Sequence, residues 1–142
     1  MMEDIELASS LLEEEKLNLV IVKEGQVLFK SKEGGLRPVF FAVRNATYTL
    51  HNASAADRIV GLAAAMLYLH AGVVSVYAYI VSAPALALLK EKGVAIASKN
   101  VVPNIYNHDG TDVCPFEKLA QSVTSSVQLI SDLESFFIGV DR

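Results

Sequence analysis

The chain has 142 residues, a length that fits one domain with a core that needs neither disulfides nor a structural metal. Hydrophobic residues make up 52% of it and charged residues 20%, so much apolar surface must lie inside or in an oligomer interface, and we predict a homodimer. The formal net charge of −4 excludes a broad basic field, so we expect no nucleic-acid partner.

The first third of the chain is predicted to form a helix, a hairpin and a second helix. Helical spacing is seen at Ile5, Leu7, Ala8, Leu11 and Leu12. Residues 17–23 and 27–30 read as antiparallel strands joined by a turn at Glu24 and Gly25, and residues 36–43 as a short helix. The acidic, amphipathic start differs from a signal peptide, so we expect a cytoplasmic protein.

The central segment, residues 54–82, is predicted to be an apolar helix followed by a buried strand. Ser54 would cap the helix with Asp57 three residues later, and Gly72 would end it. Apolar residues surround this helix, so it must be packed on all sides. Residues 73–81 are β-branched and aromatic, as in a central strand. No charged residue separates Arg58 from Lys90, but the β-branched run disfavours a membrane span, and we expect no membrane partner.

The last part of the chain is predicted to complete a parallel β-α-β unit and to end in helix. Residues 85–92 read as a helix, and residues 94–97 as the next strand. Pro103 places any strand over residues 101–106 at an edge, and residues 107–112 form a turn. A helical stripe runs from Pro115 to Phe137, with a break near residues 125 and 126. We therefore predict an α/β fold with a mixed sheet, in one domain over residues 1–142.

The sequence Cys-Pro-Phe-Glu at residues 114–117 is the most specific local feature. Cys114 falls at an N-cap, Pro115 at the first helical position, and Glu117 at the third, where its carboxylate can accept the cap amide proton. A thiol there meets unsatisfied amides and the positive end of the helix dipole, which favours a nucleophilic thiolate, although the charge of Glu117 opposes it. The alternative is a small buried residue at a helix start.

Several other polar residues are candidates for a site. His108 and Asp109 could supply a base and its orienting carboxylate, while loop histidines are more often only solvated. His70 on the apolar helix is expected to be a hydrogen-bonded core histidine. Asp57 and Arg58 would lie at the carboxyl rim of the sheet, where open α/β folds bind ligands; the alternative is a cap and a surface charge. No phosphate loop, dinucleotide-binding turn or nucleophile elbow is found in the sequence.

Three motifs carry a resemblance to a known family: GLRP at residues 35–38, DRIVG at residues 57–61, and CPFE at residues 114–117. With the order of elements, they resemble the cytidine deaminase-like fold and, more closely, the domain-of-unknown-function family 1893. The resemblance covers almost the whole chain and implies a three-layer α-β-α architecture.

The resemblance also defines an expected pocket and what it lacks. Active zinc deaminases carry a His or Cys followed by Ala-Glu at one helix start, and Pro-Cys-x-x-Cys at the next. The resemblance matches these two positions to residues 54–57, Ser-Ala-Ala-Asp, and to residues 82–85, Ser-Ala-Pro-Ala. Both sets of zinc ligands are missing there, so we predict neither a metal nor another cofactor. The expected pocket lies between two helix N-termini and is lined by Ser54, Asp57, Arg58 and Ser82.

Two functions are compatible with these features. In the first, the protein binds or acts on a polar, nucleotide-like small molecule without zinc, with Cys114 as the thiol and Asp57 or His108 moving a proton. In the second, it is a non-enzymatic homodimeric binding or assembly module in which Cys114 is structural. The sequence does not decide whether the protein is an enzyme.

Overall fold

A five-stranded mixed sheet forms the centre of the molecule, in the order β2-β1-β3-β4-β5. The structure is a computed structural model and describes residues 3–139, apart from the side chain of Thr47. In chain order the elements are α1 (Asp4–Glu14), β1 (Leu19–Lys23), β2 (Gln26–Ser31), α2 (Arg37–Leu50), β3 (Ser54–Val60), α3 (Leu62–Ala71), β4 (Ser75–Ser82), α4 (Ala83–Glu91), β5 (Ala95–Val102), α5 (Pro115–Ser122) and α6 (Ser126–Phe137).

The strand directions bring several element ends to one edge of the sheet. β1 pairs antiparallel with β2 and β3, whereas β3, β4 and β5 are parallel. The carboxyl ends of the three parallel strands, at Val60, Ser82 and Val102, therefore share an edge with the start of β1 at Leu19. We call this the carboxyl edge. Helices α3 and α4 begin there because each follows directly after a strand.

Helices cover both faces of the sheet. On one face, Ala8 and Leu12 of α1 pack against Val20 and Ala56. On the other, the main core joins Ile21 and Ala55 to side chains of α2, α3, α4, α5 and α6, among them Phe40, Tyr68, Leu89, Ala120 and Leu133. The predicted three-layer α-β-α architecture with a mixed sheet is therefore confirmed.

Most predicted elements are present between the turn and capping residues that were expected to bound them. The hairpin turns at Gly25, whose φ of 78° suits glycine, and β4 lies between β3 and β5 as a central strand. β5 lies at the edge, is longer than predicted and ends just before Pro103. The predicted break in the last helix is confirmed, because Ser125 caps α6 by accepting a hydrogen bond from the Gln128 amide.

The prediction that Ser54 starts a helix is wrong, because residues 54–60 form β3. This strand is bonded to β1 on one side and β4 on the other, and its first five side chains are fully or largely buried. Pairing on both sides and cover on both faces override the high intrinsic helix propensity of its alanines. The core helix begins only at Leu62, and its N-cap is Gly61.

Helix α2 is longer than the predicted helix over residues 36–43. It continues to Leu50, with a kink at Ala46, where φ is −140° and ψ is 33°. Residues 44–50 are therefore helical as well. Buried Leu50 gives this second part of α2 its anchor in the main core.

Helix α3, which raised the question of a membrane span, has 10 residues. At 1.5 Å per residue it is about 15 Å long, roughly half the thickness of a bilayer's hydrocarbon core. No helix within residues 3–139 is long and apolar enough to cross a membrane.

Candidate functional site

The carboxylate of Glu117 lies on the N-terminus of α3. The Leu62 amide donates to its Oε1 at 2.6 Å and the Ala63 amide to its Oε2 at 2.9 Å, and the side chain is buried. The first amides of a helix have no partner inside the helix and carry the positive end of its dipole. One carboxylate thus satisfies two amides and places its negative charge where the helix favours it.

Gly61 leaves the space that this carboxylate fills. A Cβ built on Gly61 would overlap all three atoms of the Glu117 carboxylate group. Its φ is −101°, a value open to any residue, so the requirement for glycine comes from space and not from backbone conformation. Gly61 and Glu117 therefore form a matched pair.

Cys114 is held at the start of α5, next to this contact. Its amide donates to the Ile105 carbonyl at 2.9 Å, and its own carbonyl accepts from the amides of Glu117 and Lys118 at 2.9 and 3.1 Å. The predicted N-cap position is confirmed, although the half-buried thiol makes no cap hydrogen bond. The expected capping box is wrong, because the Glu117 carboxylate binds α3.

Aromatic rings surround the start of α5. The Phe116 ring lies 5.3 Å from that of Phe137, and the Phe137 ring lies 5.2 Å from that of Phe40 in α2. The Arg37 guanidinium lies 5.1 Å above the ring of Phe41. The start of α2, the start of α5 and the end of α6 thus meet, with an exposed cation beside the rings. The paired phenylalanines at residues 40–41 and 136–137 were the only sequence signal for this cluster.

Asp57 does not lie at a helix start but in the core between β3 and α3. The Tyr68 hydroxyl donates to its Oδ2 at 2.6 Å, and both side chains are buried. Burial raises the pKa of Asp57 from 3.8 to about 7, against the lowering effect of the Tyr68 hydrogen bond and of backbone amides. Burial also raises the pKa of Tyr68 well above its ordinary value, and the neighbouring carboxylate adds to this effect.

Arg58 points to the opposite face of the sheet, toward α1. Its Nη2 donates to the carbonyls of Leu12 and Leu17 at 3.1 and 2.8 Å, and its Nη1 lies 3.2 Å from Glu13 Oε1. The guanidinium also lies 5.5 Å above the ring of Tyr79. These contacts hold the carbonyl end of α1 against β3, where a cation is favoured by the helix dipole. Arg58 is thus occupied by structural contacts.

Ser54 and Ser82 lie at opposite edges of the sheet. Ser54 pairs with Ser75 at the amino edge, whereas Ser82 ends β4 at the carboxyl edge. The seven residues of β3, from Ser54 to Val60, separate these edges by about 20 Å. Ser82 is a helix cap, since its Oγ accepts from the Ala85 amide at 3.3 Å. The four residues of the expected pocket therefore do not line one pocket.

The histidines also lie apart from Cys114. The Ile105–Cys114 and Tyr106–Val113 pairings close a hairpin whose exposed tip carries His108 and Asp109, so these side chains lie at the end opposite Cys114. The predicted hydrogen bond of His70 is confirmed, with Nδ1 lying 3.1 Å from Ser126 Oγ, but its core position is wrong because the ring is exposed.

The donor set of a zinc deaminase does not fit these helix starts. The first turns of α2, α3 and α4 are Arg-Pro-Val-Phe, Leu-Ala-Ala-Ala and Ala-Pro-Ala-Leu. None of these sequences contains a metal ligand, and Glu117 alone reaches the start of α3. Across residues 3–139, no three His, Cys, Asp or Glu side chains are placed to hold a metal ion together.

These features define a class: a three-layer α/β protein with a mixed five-stranded sheet, whose helix starts lack the donor set of the zinc deaminases. The family model described as domain of unknown function DUF1893 matches residues 7–137. The chain belongs to this family, as its motifs predicted.

Solved structures agree with this assignment. A DUF1893 family protein from Thermotoga maritima is 31% identical, with a TM-score of 0.83 over 96% of this chain and 93% of that one. Two forms of Acinetobacter baumannii RibD are each 20% identical with TM-scores of 0.48, covering 81% and 87% of this chain but 33% of RibD. No curated protein matches the chain.

Proposed function

We propose that this protein binds a polar, nucleotide-like small molecule at the carboxyl edge, beside the starts of α2, α3 and α5, and that Cys114 contacts the ligand. The observation that carries the proposal is the Glu117 carboxylate across the Leu62 and Ala63 amides. This contact fixes α5 on the start of α3 and so holds the half-buried thiol at the edge where open α/β sheets bind ligands.

The surroundings of the thiol support a planar ligand with negative charge. The phenylalanine rings offer faces on which a flat ring can stack. Arg37 is exposed, and its ion pair with exposed Glu33 at 3.5 Å uses only one of its donors, so the guanidinium can also meet an anionic group. In an enzymatic version, the Cys114 thiolate would add to the carbon of a C=O or C=N group, and the π electron pair would move to its oxygen or nitrogen. The start of α5 would stabilise the negative charge on that atom. Neither Asp57 nor His108 transfers a proton in this mechanism, because Asp57 lies in the core and His108 lies at the hairpin tip, away from Cys114.

Alkylation of Cys114 tests the thiol. The rate of labelling by iodoacetamide, read by mass spectrometry, would be compared with that of the urea-unfolded chain between pH 6 and pH 9. Faster labelling of the folded protein at pH 6 to 7 is expected if the helix start favours the thiolate. Labelling that occurs only after unfolding would make Cys114 a structural residue.

A thermal-shift screen with nucleoside phosphates tests the ligand. A bound ligand raises the melting temperature by mass action. Arg37→Gln should reduce the shift. Arg44→Gln serves as the matched control, because Arg44 lies on the same helix and, like Arg37 with Glu33, forms an ion pair, with Glu134. Equal shifts in both variants would remove Arg37 from the site.

The alternative is a homodimeric assembly module. It is favoured by apolar side chains that are exposed on helix α6. Phe136 and Val127 of α6 are each 67% exposed. Burying such side chains between two copies would stabilise a dimer. Sedimentation equilibrium would then give a dimer that Phe136→Ser weakens, and the melting temperature would depend on protein concentration rather than on added nucleotide.

A further inference from the structure

A groove of about 530 Å³ runs along α3, between α4 on one side and the α5–α6 connection on the other. Its apolar lining is Leu62, Met66 and Leu69 of α3, Leu88 of α4, and Ala120 and Val123. The volume lies within the range of small-molecule sites. The groove differs from the site at Cys114, which is not part of its lining.

The floor of the groove is the one face of α3 that its neighbours leave partly open. Leu62, Met66 and Leu69 follow each other at helical spacing and are each half-buried, whereas most of the other side chains of α3 are buried. An apolar helix of this kind is stable when all its faces are covered. A ligand in the groove would complete that cover.

One end of the groove is polar and positive. Because α3 and α4 both follow parallel strands, their C-terminal ends lie at the same end of the molecule, and there His70 and Lys92 line the groove. The contact between His70 and Ser126 brings the start of α6 to the same place. The α6 start adds amide and hydroxyl donors and the positive end of its dipole, which oppose the negative dipole ends of α3 and α4. The ammonium of Lys92 therefore decides that this end favours an anion.

The charge of this end is not compensated by nearby acids. The chain has 16 acidic residues, yet among the described residues no Asp or Glu lines the groove. Lys92 forms no ion pair within residues 3–139. An apolar trough that ends at an unpaired ammonium is complementary to an amphipathic anion.

We propose that the groove binds a linear aliphatic carboxylate, with the carboxylate at Lys92 and His70 and the chain along α3 toward Leu62. The eight residues from Leu62 to Leu69 span about 10 Å of helix, which matches an extended chain of about eight carbons. The carboxylate would accept hydrogen bonds from the Lys92 ammonium, and the chain would cover the half-buried floor.

Titration calorimetry with sodium octanoate tests the proposal, with 1-octanol as the neutral probe of the same length. Octanoate is expected to bind with one site per chain and more tightly than octanol. Lys92→Gln should weaken octanoate binding about three- to tenfold and leave octanol binding unchanged. Lys90→Gln, on the same helix but outside the groove, is the matched control and should change neither.

A second variant tests the apolar floor. Met66→Asp places a carboxylate in the trough and should abolish binding of both probes, with circular dichroism checking that the variant is folded. Equal octanoate affinity in Lys92→Gln and the unmodified protein would overturn the proposal, and so would an equal loss in Lys90→Gln. Sedimentation compares the association state of the unmodified protein with that of Met66→Asp. A dimer of the unmodified protein that this variant dissociates would identify a second copy as the occupant of the groove, and would also overturn the proposal.

Discussion

One buried carboxylate, Asp57, lies in the middle of β3, and another, Glu117, lies on the first turn of α3. The two carboxylates differ in the groups that surround them. Asp57 and Glu117 are both 6% exposed. Asp57 meets a neutral tyrosine hydroxyl inside the sheet layer, and its pKa rises to about 7 because burial outweighs its hydrogen bonds. Glu117 instead meets two helix amides at the positive end of α3. Equal burial is thus compensated in two ways, by a neutral hydroxyl at Asp57 and by the positive end of a helix dipole at Glu117.

The largest expected effect is the pH dependence of stability at Asp57. Its folded pKa is raised, so the folded state holds the proton more tightly, and the stability present below about pH 4 is lost as the pH rises through 7. The difference between 3.8 and about 7 corresponds to roughly 4 kcal/mol. Urea unfolding from pH 4 to pH 8 should therefore show Asp57→Asn gaining stability relative to the unmodified protein as the pH rises.

Asp109→Asn is the control for this measurement, since Asp109 lies exposed at the hairpin tip. Its stability relative to the unmodified protein should stay nearly constant over the same range. If the Asp57→Asn difference were equally flat, the carboxyl group of Asp57 would have similar environments in the folded and unfolded states.

A somewhat smaller effect is expected at Glu117, whose carboxylate accepts hydrogen bonds from two α3 amides. Glu117→Gln removes the charge and turns an amide NH₂ toward one of the two helix amides. A loss of about 2–3 kcal/mol in the free energy of unfolding is expected from charge-assisted hydrogen bonds. Chemical denaturation would measure it, with Glu134→Gln as a half-exposed control. A loss below about 0.5 kcal/mol would mean that water satisfies the α3 amides equally well.

The smallest of the three effects is expected at Gly61. Gly61→Ala introduces a Cβ into the space of the Glu117 carboxylate and should destabilise by about 1–3 kcal/mol through overpacking. In the background of Glu117→Ala the same substitution should cost much less, because the carboxylate is gone. A double-mutant cycle measures this coupling, and strictly additive effects would contradict the matched pair.

The sequence was sufficient for the elements marked by local signals. Gly25 and Gly72 mark turns and helix ends, and Ser125 marks the break before α6, so the hairpin, β4 and the last two helices could be predicted. β3 could not, since Ser-Ala-Ala-Asp has the composition of a helix start and becomes a strand only by pairing with β1 and β4. Gly61 was the one local signal against a helix that starts at residue 54, because glycine weakens a helix interior.

The candidate site was predictable only in part, for a related reason. The cap position of Cys114 follows from residues adjacent in sequence, so it was predicted correctly. The partner of Glu117 lies 55 residues away, and no local pattern indicates such a contact. The directions of Asp57 and Arg58 depend on strand alternation, which remains hidden until the strand itself is recognised.

The same sequence separation has a consequence for the order of folding. Closing a chain segment of this length costs entropy before any contact is gained, so the bond from Glu117 to the α3 amides should form after the sheet and α3 have assembled. Interactions that form after the transition state act on the unfolding rate and leave the folding rate nearly unchanged. Glu117 and Gly61 would therefore set how long the native molecule persists, while the local elements set how fast it is reached.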